Sequence, residues 1–449
     1  MWKLFFKLVR RGVCLLLFLS AELSAQEKWT LEQCIGYALE HNVDIKQAEL
    51  SSQIKDISVN TARNSILPSV TSSLGHTNYF GRGPSRDGTY TDNSQMSSNL
   101  SLSAALTLFS GFRIKHDIKS KTFDFQASLK DLESTRDNVS LNITSLFLQV
   151  LLCRELVQIA ENQVILSREL VDRNELLVKT GKSLRSQLLE SKSLLAKDRL
   201  TLIQRENELK SALLNLSQAI NWKDTTRFDV FDPELDSLSI YSPVSNQDVT
   251  RVYEYALKNR PNIEAEKLRL QSSMYNLSVA KSARYPQISL SGGYSNSYYY
   301  SFVTGYNNVD FVTQLKNNGN EYIGINISIP IFNRLSTRNQ IRTAQTSLRM
   351  QELVLDNARN SLRKEIEQAC QNADAALQKY LTAIESWNAA TETFRYTAEL
   401  SKTGRATVYD YNNAKTDMER SESEMVQSKY ELIFSRKILD FYAGIPLVK

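Results

Sequence analysis

The sequence has few residues that interrupt helices. Its 449 residues include only 15 Gly and 8 Pro, and neither type occurs in 112–180, 182–232, 331–403 or 405–443. Each of these intervals is far longer than the roughly 8–20 residues of a helix in a globular protein. The distribution therefore predicts very long helices and argues against a compact enzyme domain.

Residues that carry catalytic or metal chemistry are also scarce. The three histidines, His41, His76 and His116, do not have the spacing of a metal site. The segment 181–183 reads Gly-Lys-Ser like the end of a phosphate-binding loop, but Leu176 stands where that motif needs glycine. We therefore expect no enzymatic activity, no cofactor and no bound metal.

Residues 1–25 have the organisation of a secretory signal peptide. A basic start is followed by an apolar stretch at 13–19 and by Leu-Ser-Ala at 23–25, a small-residue cleavage signal. Cys14 lies inside the apolar stretch without the pattern of a lipidated cysteine, so no lipid anchor is expected. Removal of the segment leaves 50 cationic and 48 anionic side chains, a net charge of +2. This near-neutral balance argues against a nucleic-acid partner.

No uncharged apolar run after residue 25 reaches the 18 or so residues of a membrane-spanning helix. An exported protein of this kind is either soluble outside the inner membrane or inserted as strands. Cys34, Cys153 and Cys370 are widely spaced on predicted helices, and we expect them to pack as small apolar side chains without forming disulfides.

The chain contains two tandem repeats of about 220 residues each. Residues 38–42 align with 256–260 at an offset of 218, and residues 179–181 align with 402–404 at an offset of 223. The five extra residues of the second copy fall before Ile331. Insertions of this kind in repeats map to loops.

Each repeat has the same order of predicted elements: a helical segment, two strands, a long helix, a tight turn at glycine and a returning helix. In the first repeat, 26–245, the elements are expected at 31–63, 69–80, 97–109, 112–179 and 182–220. In the second repeat, 246–449, they are expected at 249–284, 287–302, 321–331, 335–402 and 405–443. Gly, Ser, Asn and Asp fill 81–93 and 305–320, as in solvated hairpin loops.

Two hydrophobic periods distinguish the strands from the long helices. Apolar and polar side chains alternate in 99–108 and 323–331, the period of a strand with one apolar and one polar face. Apolar residues in 148–170 and 362–394 instead recur every three and four positions, the heptad pattern of coiled helices. A helix of roughly 68 residues at about 1.5 Å per residue is about 100 Å long.

The predicted strands have the length of membrane-spanning strands. Four strands of about ten residues cannot close a barrel, and lipid does not tolerate open strand edges. Two copies would supply eight strands and three would supply twelve. The polar alternate face favours three, because a wider barrel leaves an aqueous lumen.

Aromatic residues near the end of the third predicted strand fit a girdle at a membrane interface. Plain strand packing in a soluble sheet is the alternative interpretation. These residues are Tyr294, Tyr298, Tyr300 and Phe302.

This duplicated order of elements, with its constant offsets, resembles that of the TolC-like outer membrane factors over essentially the whole mature chain. The resemblance implies an α+β membrane fold: a homotrimeric twelve-strand outer-membrane β-barrel continued by a periplasmic α-helical coiled-coil barrel. It also implies a periplasmic membrane-fusion adaptor, an inner-membrane pump of RND, ABC or MFS type, contact with outer-membrane lipid and location in a Gram-negative bacterium. The segments 221–246 and 444–449 match the family's variable equatorial region only loosely.

The resemblance also places a pore constriction just after each glycine turn. Asp410 and Asn413 match pore-facing positions of the family, and Gln187 and Glu190 occupy the corresponding positions of the first repeat. Three copies of Asp410 around an axis would form a carboxylate ring that favours cations. A carboxylate in the first turns of a helix also has a local explanation, which is interaction with the helix dipole.

The two glycine turns are expected to be exposed cationic tips suited to the helical hairpin of an adaptor. Lysine and arginine near a helix C-terminus also complement the helix dipole, and both roles are compatible. The turn residues are Lys179, Thr180, Gly181, Lys182, Lys402, Thr403, Gly404 and Arg405.

The function expected from these features is that of an outer-membrane exit duct in a tripartite efflux pump or a type I secretion system. The alternative is a soluble periplasmic coiled-coil adaptor or scaffold, for which the helical hairpins would suffice. A secreted hydrolase lacks a credible site. The exported cargo is not encoded in the duct, since the inner-membrane transporter selects it.

Overall fold

The computed structural model describes residues 28–84, 87–223, 228–231 and 246–447. The predicted signal peptide and most of the segment 221–246 lie outside these residues. The first half of the described chain forms β1 (Lys28–Trp29), α1 (Leu31–His41), α2 (Val43–Asn64), β2 (Ser69–Tyr79), β3 (Arg82–Pro84), β4 (Tyr90–Asp92), β5 (Gln95–Ser110), α3 (Arg113–Lys179), α4 (Arg185–Ala219) and β6 (Asp229–Val230). The second half forms α5 (Asn246–Asn259), α6 (Pro261–Ser282), β7 (Gln287–Ser301), α7 (Phe311–Asn317), β8 (Asn320–Ser328), α8 (Ser336–Lys402) and α9 (Val408–Tyr442).

The four long helices dominate the chain. The helices α3 and α8 have 67 residues each, and the returning helices α4 and α9 have 35 residues each. The returning helices begin three residues after the expected positions 182 and 405, because the residues that follow each glycine complete the turn before the helix starts.

The helical segments expected at 31–63 and 249–284 each consist of two consecutive helices. Asn42 has an extended backbone with ψ of 135°, and its side-chain Oδ1 accepts a hydrogen bond of 2.8 Å from the N–H of Asp44. In the second repeat, Pro261 begins α6. Proline at this position lacks only an N–H that would have no helical partner, so it starts a helix instead of continuing one.

Four strands form one antiparallel sheet in the order β2-β5-β7-β8. The last strand ends at Ser328 instead of the expected 331. Pro330 explains the early end, because proline has no N–H for the strand ladder. As a result, Ile329 and Ile331 lie outside the strand and are exposed.

The register gives the sheet two chemically distinct faces, because alternate residues point to opposite sides. The polar face consists of Ser69, Thr71, Ser73, Gly75, Thr77, Tyr79, Gln95, Ser97, Asn99, Ser101, Ser103, Ala105, Thr107, Gln287, Ser289, Ser291, Gly293, Ser295, Ser297, Tyr299, Ser301, Asn320, Tyr322, Gly324, Asn326 and Ser328. The apolar face consists of Val70, Ser72, Leu74, His76, Asn78, Met96, Ser98, Leu100, Leu102, Ala104, Leu106, Ile288, Leu290, Gly292, Tyr294, Asn296, Tyr298, Tyr300, Glu321, Ile323, Ile325 and Ile327. Its aliphatic side chains are widely exposed, Ile323 by 81% and Leu74 by 78%.

Both strand connections contain regular secondary structure. The expected loop 81–93 contains the two-stranded ribbon of β3 and β4, and the expected loop 305–320 contains α7. Asp310 starts α7 by accepting a hydrogen bond of 3.0 Å from the N–H of Thr313. An N-cap of this kind is the local reason that a helix forms here.

The chain divides into two compact units that do not coincide with the sequence repeats. Unit 1 comprises the described residues up to Glu49 with Asp131–Ile263 and Arg359–Lys449, and unit 2 comprises Leu50–Lys130 and Glu264–Ala358. Each repeat therefore contributes to both units. Unit 2 contains the four-stranded sheet, and unit 1 contains the main apolar core.

The core of unit 1 forms around the middle of α3. Ile143, Phe147 and Leu151 are almost completely buried and pack with residues of α1, α4 and α9. Cys34, Cys153 and Cys370 are buried, and their sulfur atoms form no disulfide in the structure. Burial alone raises the pKa of the Cys34 thiol to about 12, so this thiol stays protonated at neutral pH.

One described helix, α3, includes an 18-residue stretch long and apolar enough to cross a membrane, but 56% of that stretch is buried inside the protein. A core helix meets the same criterion. The position of this core in unit 1 accounts for the apolar composition of α3.

Candidate functional site

The two hairpin turns have the same backbone geometry. Gly181 and Gly404 adopt φ of 68° and 73°, in the left-handed region that favours glycine. The N–H of Lys182 bonds to the carbonyl of Leu177 at 2.8 Å, and the N–H of Arg405 bonds to the carbonyl of Leu400 at 2.9 Å. These bonds, which span five residues, close the ends of α3 and α8 as in a Schellman motif.

The eight predicted turn residues, from Lys179 to Lys182 and from Lys402 to Arg405, are exposed. A Cβ atom added at Gly181 or Gly404 would meet no atom within 4 Å. The turns therefore present free surface in a single chain.

The charges of the turns are partly compensated by neighbouring carboxylates. Lys179 lies 3.6 Å from Glu175, and Lys402 lies 2.6 Å from Glu399. The hydrogen bond from Lys402 is the main cause that lowers the pKa of Glu399. Exposed pairs of this kind add little stability, so the lysines remain available to a partner.

Asp410 has a well-defined local role. It forms a capping box with Thr407: the Thr407 N–H donates to Asp410 Oδ2 at 3.0 Å, and the Asp410 N–H donates to Thr407 Oγ1 at 3.1 Å. Hydrogen bonds from the Thr407 side chain and backbone lower the pKa of Asp410, which is exposed. The carboxylate is therefore ionised at neutral pH.

The corresponding positions of the first repeat are built differently. Leu184 precedes α4 without any side-chain capping bond, and the Ser183 hydroxyl donates to Gln187 Oε1. Glu190 and Asn413 are exposed. Among the described residues, no hydrogen bond or ion pair joins Asp410 or Asn413 to Gln187 or Glu190.

A buried ion pair lies in the same helical hairpins, and the sequence reasoning missed it. Lys415 of α9 is 1% exposed and pairs with Asp198 of α4. Its ammonium group also donates to the Gln163 carbonyl at 3.1 Å and to the Ser167 hydroxyl, both on α3. Three helices are thus joined by one fully bonded lysine.

A second polar link lies nearer the turns. The Arg173 guanidinium of α3 donates to the carbonyl of Ser401 near the end of α8. The hairpin of α3 and α4 and the hairpin of α8 and α9 are therefore joined by polar contacts of Lys415 and of Arg173. Ordered polar links of this kind can fix the axial register of helices whose heptad seams would otherwise permit sliding.

Of the four predicted interface aromatics, Tyr298, Tyr300 and Phe302 lie at one end of β7, and Tyr294 lies in the middle of this strand. Tyr294 and Phe302 are exposed, and Tyr298 and Tyr300 are half-buried. The rings of Tyr300 and Phe302 are 5.5 Å apart, and Phe302 stacks on Phe80 at 5.7 Å. The three tyrosines belong to the apolar face.

Comparison with known proteins identifies the family. A model of the outer membrane efflux protein family matches residues 34–221 and 252–444, two segments that begin 218 residues apart. The chain belongs to the outer membrane efflux protein family.

Relatives and solved structures agree with this assignment. The chain is 21% identical over 407 residues to the outer membrane efflux protein BepC of Brucella suis biovar 1 (strain 1330), covering 90% of this chain and 83% of that protein. It is 20% identical over 415 residues to toxin and drug export protein A of Aggregatibacter actinomycetemcomitans, covering 90% and 83%. A crystal structure of CusC matches with a TM-score of 0.75 at 16% identity, covering 93% of this chain and 92% of that one.

These findings confirm the TolC-like resemblance and place this efflux protein in the outer membrane, from which it extends into the periplasm. Its family consists of channels and not of enzymes. The soluble scaffold considered as the alternative does not fit membership of this family.

Proposed function

We propose that three copies of this efflux protein join their sheets into a twelve-strand barrel that passively conducts substrates out of the cell. The observation that carries the proposal is the open four-stranded sheet with one polar and one exposed apolar face. Its outer strands, β2 and β8, pair on one side only. Since lipid does not tolerate unpaired strand edges, each β8 would pair with β2 of another copy.

The chemistry of the two faces supports the orientation of the barrel. The polar face carries no Asp, Glu, Lys, Arg or His among its described residues, and it is rich in hydroxyl and amide groups. Such a surface suits a water-filled lumen, and the aliphatic apolar face suits lipid. A neutral lumen discriminates weakly between cations and anions, so any charge selectivity would arise in the helical segment.

The exposed turns would dock a periplasmic membrane-fusion adaptor that delivers substrate from an inner-membrane pump of RND, ABC or MFS type. The name of the Aggregatibacter relative describes export of both toxins and drugs by that protein. We propose the same general role here, in a tripartite efflux pump or a type I secretion system. The identity of the adaptor would indicate which one operates.

Photo-crosslinking in cells tests the adaptor contact. A photoreactive residue at Lys182 or Arg405 should capture a periplasmic adaptor, because both positions are exposed at the turns. The same residue at Lys192, also exposed but further along α4, is the matched control and should capture none. Equal capture at all three positions, or none at any, would contradict docking at the turns.

Neutralising Asp410 tests the pore constriction. Asp410→Asn keeps a side-chain oxygen that can accept hydrogen bonds from Thr407, but it removes the charge. Cation selectivity should therefore fall, and block by divalent cations should weaken several-fold in planar bilayers. Because the pKa of Asp410 is lowered, its charge persists above that pKa and is lost as the pH falls through it. The wild-type selectivity should therefore decline on acidification.

Asp417→Asn is the control for this experiment, since Asp417 lies on the same helix and is exposed. It should leave selectivity unchanged. Identical selectivity and block in Asp410→Asn and the wild type would remove Asp410 from the constriction and leave it with its capping role.

A further inference from the structure

The helix α7 occupies the connection between β7 and β8, beside a stretch of strand that has no strand partner on that side. Pairing of β7 with β8 ends at Ser295 and Asn320. The remaining part of β7, up to Ser301, pairs with β5 but extends past the start of β8. Its outward backbone groups therefore need other partners.

Side-chain amides supply these partners. Gln314 accepts from the Tyr299 N–H at 2.9 Å and donates to the Tyr299 carbonyl at 2.7 Å. Asn308 makes the equivalent pair of bonds with Ser301, at 2.7 and 2.8 Å. The amide of Asn318 donates to the carbonyl of Ser297 at 2.6 Å. Three amides thus bond to backbone groups along the part of β7 that has no strand on this side.

The helix also covers a polar residue on the apolar face. Asn296 is 6% exposed, and its amide donates to the Tyr294 hydroxyl at 2.9 Å and to the carbonyl of Leu315 at 2.7 Å. Nearby, the ring of Phe311 packs edge-on against Tyr298 at 5.1 Å. Since Tyr294, Asn296 and Tyr298 belong to the apolar face, α7 lies on that side of β7.

The outward side chains of α7 are apolar. Phe311, Val312 and Leu315 are exposed by 54%, 57% and 48%, and the preceding Val309 is exposed by 52%. A surface connection in water would not gain from exposing these four side chains together. They continue the exposed apolar surface of the sheet past the point where β8 begins.

We propose that α7 lies in the outer-membrane interface and packs its apolar side chains against lipid acyl chains. The inference rests on the proposed function, in which the apolar face of the sheet meets lipid. Lipid is the favoured partner of α7 for two reasons. The apolar side chains of α7 continue the apolar face of the sheet, and α7 covers Asn296 and backbone groups of β7, which would be unfavourable in hydrocarbon. A neighbouring copy is the competing occupant, and the experiment below distinguishes the two.

Tryptophan quenching in the full-length protein tests the location of α7. Val312→Trp is reconstituted in phosphatidylcholine vesicles whose acyl chains are brominated near the headgroup, and the emission of the wild type is subtracted. Most of the added emission should be quenched by the brominated lipid and little of it by acrylamide. Thr91→Trp, on the exposed ribbon of the other connection, is the matched control and should show the reverse.

The remaining outcomes would overturn the inference. Quenching of Val312→Trp by acrylamide would place α7 in water, and quenching by neither agent would place it against protein, as in contact with another copy. Leu315→Trp repeats the test should Val312→Trp fail to fold. Ile325→Trp separates the two proposals: if it is quenched by lipid and Val312→Trp is not, only the inference about α7 fails.

Discussion

Lys415→Met is expected to cause a large loss of stability in the helical part of the protein. Removing one partner of a buried ion pair typically costs about 3–5 kcal/mol, because the other charge stays buried without compensation. For a unit of this size, that loss lowers the midpoint of thermal unfolding by roughly 10 °C. Far-ultraviolet circular dichroism of the detergent-solubilised protein measures it.

The surroundings of the pair explain the size of the effect. Asp198 is 7% exposed and would lose the ammonium group that its Oδ2 now accepts from. Glu419 lies nearby, and its pKa is raised by burial first and by the charge of Asp198 second. Without Lys415, the three packed helices would therefore hold an excess of negative charge.

The double variant Lys415→Met with Asp198→Leu tests this explanation. It removes both charges, so stability should return to near that of the wild type, or above it. The exposed pair Lys379 and Glu431, at 2.6 Å, provides the control, and Lys379→Met should cost about 1 kcal/mol or less. Equal effects of Lys415→Met and Lys379→Met would show that burial of the first pair does not matter.

Ile325→Lys is expected to disrupt insertion of the barrel into the membrane. Ile325 is 65% exposed on the apolar face of β8, and a lysine facing lipid costs about 2–4 kcal/mol near the bilayer midplane. Each copy in the assembly would carry this unfavourable free energy of insertion. The fraction of protein that stays in the outer membrane after carbonate extraction should decrease sharply.

The adjacent residue provides a matched control, because Asn326 lies on the polar face. Asn326→Lys adds the same charge to the proposed lumen, so insertion should be normal and the channel should shift towards anion selectivity. If both variants insert equally well, the assignment of the two faces to lipid and water is wrong.

The long helices could be predicted from the sequence because their signal is repeated over many turns. The absence of Gly and Pro between Gly111 and Gly181 gives the extent of α3, and the heptad pattern gives its packing stripe. The strands β5 and β8 could also be predicted, since apolar and polar residues alternate along 99–108 and 323–331. Boundaries depend on single residues, and Pro330 and Asn42 moved or split the expected elements.

The buried ion pair could not be predicted, because its partners are brought together by tertiary packing. Lys415 and Asp198 are 217 residues apart, and each resembles a solvated charge on a long helix. One signal was present: Asp198 comes three residues after Leu195 and four before Leu202, which is the spacing of a heptad seam. A charge on a heptad seam indicates a buried partner, but not which one.

The helix α7 was missed for a different reason. Its surroundings are rich in Gly and Asn, which indicate a loop, and it has only seven residues. Its formation depends on the cap at Asp310 and on amides that bond to the edge of β7. The cap is a local signal, but the unpaired edge of β7 is not visible until the point at which β8 begins is known.

The central claim is that three copies of the chain together enclose an aqueous channel. The mass and conductance of the detergent-solubilised protein test this claim. The mass determined by light scattering should be three times that of one mature chain, which is somewhat below the 51.1 kDa of the full sequence. The same material should produce discrete conductance steps in planar bilayers. A protein that is monomeric by mass and electrically silent in the bilayer would contradict the account.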